Sequence, residues 1–131
     1  QSANKIVLES PHCTEADILT LRKQALGLYM AEAIEEYIVQ LVMATRHPEH
    51  YLGDKVNLID FGASPRATIA LDRCSRAHAL LKGEQFVTPD DVRAVAHDVL
   101  RHRIIPSFEA EAKGYTSDNL LDQLIERVPV A

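Results

Sequence analysis

The residues with the clearest capacity for chemistry are Gly62-Ala63-Ser64-Pro65-Arg66. Ser64 is expected to cap a helix, its hydroxyl accepting a hydrogen bond from an otherwise unpaired N–H of the first turn. Pro65 suits the first helical position, where the missing N–H costs nothing and the fixed φ is already helical. Arg66 then falls in the first turn, where a cation opposes the positive end of the macrodipole. Free N–H groups, the dipole and a guanidinium together suit an anionic oxygen, above all phosphate. From the pentapeptide alone, an ordinary solvated arginine behind a good cap is the favoured reading. Further along the predicted helix, Arg73 and Arg76 join Arg66, Ile69 and Leu80 at three-four spacing, so three arginines share one stripe. Salt bridges to Asp72, Glu84 and carboxylates of neighbouring helices are the plain alternative for that stripe, and exposed pairs of this kind are worth little.

Other chemistries find no support. His47-Pro48-Glu49-His50 lies in a predicted loop, without the helical register that presents two imidazoles to one zinc, so no metal site is expected. His97 and His102 are five apart and point to different faces of a continuous helix. His78 reads as a packed or half-exposed histidine. Glu35 and Glu36, like Glu109 and Glu111, read as solvated faces rather than paired acid and base. Tyr37 sits in an apolar stripe, with its hydroxyl expected at the rim. The sequence has no Gly-rich phosphate loop followed by Lys and Ser or Thr, and no Gly-x-Ser-x-Gly elbow. It therefore holds no complete active site.

The elements that must position Arg66 follow from periodicity. The 131 residues are 47% hydrophobic and 25% charged, which is ordinary for one soluble globular domain with a genuine core. No apolar run approaches the roughly 20 residues of a membrane span, and the start lacks a basic-then-apolar signal pattern, so a cytoplasmic protein without a membrane span is expected. Two cysteines, Cys13 and Cys74, form no metal or redox motif and are expected as free thiols. A formal charge of −5 disfavours nucleic acid and requires any anion site to be a local cluster.

Residues 1–13 read as a connecting segment and 14–131 as a helical domain. Thr14 caps a first helix, in which Ile18, Leu21, Ala25 and Leu26 recur, ending at Gly27. A second runs from Ala31, a poor cap, to about Arg46, with Ala33, Ile34, Tyr37, Ile38, Leu41 and Val42 as its stripe. Residues 47–63 read as a long loop, ordered at most over Val56 to Phe61. The third helix spans Pro65 to about Lys82, with Ala67, Ala70, Leu71, Cys74, Ala77 and Leu81 as a small-residue packing face. Phe86 and Val87 are expected in the core. Thr88-Pro89-Asp90-Asp91 opens a fourth helix carrying Val92, Val95, Ala96, Val99 and Leu100. A short amphipathic piece covers Phe108 to Lys113, and Ser117 and Asp118 open a last helix carrying Leu120, Leu121, Leu124 and Ile125. The fold class expected is all-α, a bundle of about five helices with no strand of useful length.

Three segments, in order and spacing, resemble the C-terminal lid of the MoxR family of AAA+ ATPases. They are Tyr37-Ile38-Val39-Gln40-Leu41-Val42-Met43-Ala44-Thr45-Arg46, Gly62-Ala63-Ser64-Pro65-Arg66-Ala67 and Phe86-Val87-Thr88-Pro89-Asp90-Asp91-Val92. The His102-Arg103-Ile104 tripeptide and the Gly114 to Pro129 tail are similar too. The resemblance implies that Arg66 is the sensor 2 arginine, reaching towards the terminal phosphates of ATP held with Mg on a preceding α/β core that this sequence lacks, with Ser64 and Pro65 positioning the helix start. It implies an ATP-hydrolysing parent forming a homo-oligomeric ring, usually a hexamer, that acts as a chaperone in client maturation, often beside von Willebrand factor A domain proteins. It further implies that Arg73 and Arg76 face a neighbouring subunit or a partner. The isolated domain is expected to bind no cofactor and to be inactive. The competing reading is a stand-alone helical interaction module unrelated to ATP.

Overall fold

A computed structural model describes residues 14–53 and 57–130. The connecting segment expected over 1–13, Cys13 and Val56 lie outside the described residues. Helices α1 (Glu15–Leu26), α2 (Glu32–Arg46), α4 (Ala67–Leu81), α5 (Pro89–Leu100) and α7 (Ser117–Arg127) are the five long elements, with short helices α3 (Glu49–Leu52) and α6 (Phe108–Ala112) between them. Two short strands add to this: β1 (Ile59–Phe61) pairs antiparallel with β2 (Ile105–Pro106), Ile59 opposite Pro106 and Phe61 opposite Ile105. Strands of three and two residues show no alternation to read, and this small sheet and α3 are the elements that the periodicity did not predict.

Local signals set the helix starts. Thr14, Thr88 and Thr116 each close a capping box with Asp17, Asp91 and Asn119, so two backbone N–H groups find side-chain acceptors at each start. The last cap is thus Thr116, one residue before the expected Ser117. Helix α2 begins at Ala31 with no side-chain cap and is held by its apolar face, on which Ile34, Tyr37, Ile38, Leu41 and Val42 are buried. Gly83 ends α4 at φ +77°, a left-handed conformation that a side chain would strain, and the Glu84 N–H returns to the Ala79 carbonyl at 2.9 Å.

Helix α2 is the centre of the core, packing against α4, α5 and α7 and against β1. Four expectations about packing change. The face α4 buries is Ala67, Leu71, Ser75 and Ala79, while Cys74, a free thiol, and Leu81 are exposed. Helix α1 buries only Ala25, leaving Ile18, Leu21 and Leu26 exposed. Phe86 is exposed and only Val87 enters the core, its N–H bonded to the Tyr29 carbonyl at 2.9 Å. The Tyr37 side chain is 1% exposed, so its hydroxyl is inside rather than at the rim, and the Arg93 guanidinium lies 5.5 Å from its ring centroid.

The tightest joint is between α4 and α5, and a buried carboxylate holds it. Asp91 Oδ2 accepts from the Thr88 N–H and hydroxyl, both at 2.8 Å, and Asp91 Oδ1 lies 2.7 Å from His78 Nδ1 on α4. Burial pushes the Asp91 pKa up, but these hydrogen bonds outweigh it and hold the carboxyl below its ordinary range. Glu84, whose Oε1 is buried without a hydrogen-bond partner among the described residues, is pushed up by the neighbouring Asp91 carboxylate and by burial.

The signs are opposite. A depressed native pKa means that Asp91 stabilises the fold above the ordinary value near 4 and that this is lost as pH falls through the native value. A raised native pKa means that ionised Glu84 disfavours the fold above its ordinary value. We expect Asp91→Asn to cost about 3 kcal/mol at pH 7 in urea denaturation and to flatten the acid side of the stability profile. Glu84→Gln is expected to leave stability at pH 7 unchanged or raised.

Candidate functional site

The turn that carries Arg66 is fastened to the C-terminal end of α2. Thr45 is buried there, donating through its hydroxyl to the Val42 carbonyl at 2.6 Å and accepting from the Ala63 N–H at 2.9 Å. Gly62 lies directly on the same backbone: a Cβ at this position would sit 2.4 Å from the Thr45 carbonyl oxygen, which rules out any side chain without a shift of the main chain. Arg46 adds a third tie, Nη1 to the Ala63 carbonyl at 3.3 Å. Ala63 itself is fully buried.

From this anchor the chain enters α4 through a tight turn. The Ser64 hydroxyl accepts from the Arg66 N–H at 3.2 Å. The N–H groups of Ala67, Thr68 and Ile69 bond to the carbonyls three residues back, at 2.8, 3.1 and 3.0 Å, and the Thr68 hydroxyl donates to the Pro65 carbonyl at 2.7 Å. Regular α-helix therefore begins at Ala67, two residues after the expected Pro65, and Arg66 occupies the flanking position at φ −64°, ψ −19°. The expected set of free N–H groups is corrected by the same bonds. What the turn offers an anion is the Arg66 side chain, which is exposed and has no hydrogen bond or ion pair among the described residues.

The other two arginines of the stripe part company. Arg73 is exposed and likewise unpaired among the described residues. Arg76 is 17% exposed, pairs with Asp72 Oδ1 at 2.6 Å and donates through Nη1 to the carbonyls of Leu28 and, at 3.4 Å, Leu26. It ties α4 to the end of α1, so the plain ion-pair reading holds for Arg76 with Asp72. His47, Glu49 and His50 lie exposed around α3, and among the described residues no group of three or more His, Cys, Asp or Glu could hold a metal ion. No helix described is long and apolar enough to cross a membrane.

Sequence reasoning missed Thr45 and Arg46 as the residues that anchor the turn. Threonine and arginine at the end of an amphipathic helix carry no local signal of a partner about 17 residues away. Asp91 was legible only as a first-turn acid, and His78 only as a packed or half-exposed histidine.

The AAA lid domain family matches residues 56–124, just over half of the chain. The chain is an AAA+ lid domain of the MoxR family. It is 34% identical over 113 residues to Chaperone MoxR1 of Mycobacterium tuberculosis, covering 86% of this chain and 30% of that protein. Protein MoxR of Paracoccus denitrificans is 34% identical over 111 residues, covering 79% of this chain and 32% of that one. A crystal structure of a protein described as an ATPase, from Cytophaga hutchinsonii, superposes with a TM-score of 0.83 at 36% identity, covering 88% of this chain and 36% of that one. The lid thus spans about a third of the length of these relatives.

The anchor is the part of the site most sensitive to substitution. Gly62→Ala is expected to cost about 2 kcal/mol in urea denaturation, because backbone rather than a side-chain tip must move. Thr45→Val, which leaves the buried Ala63 N–H without an acceptor, should cost about 1–3 kcal/mol and broaden the amide resonances of Ser64 to Thr68 in an NMR spectrum.

Proposed function

We propose that this lid serves a ring-forming MoxR-type ATPase and that Arg66 is its sensor 2 arginine, placed to contact the terminal phosphates of ATP bound with Mg on an α/β core. The observation that carries this is the exposed Arg66 side chain, unpaired among the described residues, on a turn clamped to α2 by Thr45, Gly62 and Arg46. A planar, always charged guanidinium fits phosphate oxygens bidentately, and here its backbone is fixed before any phosphate arrives. Ser64 and Pro65 set the direction in which it leaves the turn. The residues present fit one phosphate contact, and the remaining contacts belong to the core.

The nucleotide supplies a polyanion whose terminal charge changes on hydrolysis. What this chain supplies is a cation on a rigid body. Because the clamp joins Arg66 to α2, and α2 to α4, α5 and α7, a force on the guanidinium moves the helices together rather than bending a loop. Such a lid rotation couples nucleotide state to the maturation or activation of client proteins in a cytoplasmic hexamer, with von Willebrand factor A domain proteins as partners. Arg73, exposed on α4, is available to a subunit or partner; Arg76 contributes by holding α1.

The test is ATP turnover of the full-length parent, wild type beside Arg66→Ala and Arg66→Lys. Losing a charge-assisted hydrogen bond to phosphate is expected to lower kcat about tenfold or more, with only partial rescue by Lys, which lacks the planar fork. Unchanged turnover in Arg66→Ala would return Arg66 to an ordinary surface arginine and leave a helical interaction module.

A further inference from the structure

Helices α1 and α4 leave an apolar groove of about 350 Å³ between them. Its walls are Ile18, Leu21 and Leu26 of α1 and Leu80 and Leu81 of α4, with Ile18 57% and Leu81 81% exposed. Arg22 and Arg73 stand among them, and no carboxylate does. Neither arginine has a hydrogen bond or ion pair among the described residues. A second hollow, of about 310 Å³, shares Leu26 and Arg73 and extends past Ile69 and Val39; its Asp72 is neutralised by Arg76 and its other carboxylate is the exposed Glu35, so the uncompensated positive charge lies in the α1–α4 part.

A helix that buries one alanine is poorly stabilised by its own domain, since helical stability comes chiefly from tertiary packing of an apolar face. Exposed leucines concentrated on one strip mark an interaction surface. Two unpaired cations embedded in that strip set the charge of whatever covers it. The groove follows α1, whose 12 residues extend about 18 Å, the length of three helical turns.

We propose that the α1–α4 groove docks an amphipathic helix of a partner protein, with leucine-like side chains against Leu21, Leu26 and Leu80 and carboxylates facing Arg22 and Arg73. The partner helix completes a layer that α1 and α4 leave open, and its acidic flank sets the register. This inference is independent of the nucleotide reading, because neither its probe nor its readout includes nucleotide.

The experiment titrates the 131-residue chain with two fluorescein-labelled 18-residue amphipathic peptides, identical in their leucine face and flanked by Glu in one and Lys in the other. The Glu peptide is expected to bind about fivefold more tightly at low ionic strength, the difference shrinking as salt screens the pairs. Arg22→Glu combined with Arg73→Glu should reverse the order of the two peptides. Leu21→Asp and, separately, Leu81→Asp should abolish binding of both, with helical circular dichroism retained because both positions are exposed. Equal affinities, or no binding by either peptide, would overturn the proposal. So would concentration-dependent self-association that Leu21→Asp removes, which assigns the groove to a second copy, or a severalfold gain in affinity in Ile6→Asp/Leu8→Asp, which assigns it to the chain's own N-terminal segment.

Discussion

The contact of Gly62 with the Thr45 carbonyl is the constraint from which the rest of the site follows. It is a main-chain to main-chain approach that only a residue without a Cβ allows, and it brings the buried Ala63 N–H onto the Thr45 hydroxyl at 2.9 Å. An unpaired buried N–H would cost more than the bond itself contributes, so once the chain passes this point it has one favourable path. That path fixes where Ser64 and Pro65 turn and therefore where Arg66 stands. A guanidinium on a mobile loop would lose affinity and direction to the entropy of ordering it; on this turn that loss is settled during folding.

The second constraint lies at the other end of α4. Asp91 caps α5 and also reaches His78, so one carboxylate fixes both the start of a helix and its docking on its neighbour. Its neighbour Glu84 is held in the opposite electrostatic sense. A buried charge with directed partners orients α4 more narrowly than apolar packing through Ala67, Leu71 and Ala79 would, because small side chains tolerate sliding. With Thr45 and Gly62 fixing the N-terminal end and Asp91 with His78 the C-terminal half, α4 is held as a rigid lever. Arg76 adds α1 to the same body through the Leu26 and Leu28 carbonyls.

This rigidity contrasts with the open surface of α1. Ile18, Leu21 and Leu26 gain little from the domain, whereas α2 buries nearly its whole apolar stripe. The Arg66 turn and the Arg22 and Arg73 groove both include α4, one at its start and one along its length. An acidic chain in which Arg22, Arg66 and Arg73, unpaired among the described residues, stand on or beside α1 and α4 presents a directional face to partners rather than a general attraction to polyanions.

Most of what was legible in the residues alone is governed by neighbours in the chain. Thr14, Thr88 and the Pro89-Asp90-Asp91 start announced helices because capping is a three-residue interaction, and the α2 and α5 stripes announced their buried faces because helical period is local. The ordered series of motifs from Tyr37 to Val92 was enough to place the chain among the lids. Tertiary structure alone decided which of two plausible faces α4 would bury, that Phe86 would stay outside, and that Ile59–Phe61 would pair with Ile105–Pro106 across more than forty residues. It also decided that Thr45 would hold the Arg66 turn and that Asp91 would find His78. These are contacts between residues distant in sequence, and their free energies depend on burial and on a partner that no local pattern specifies.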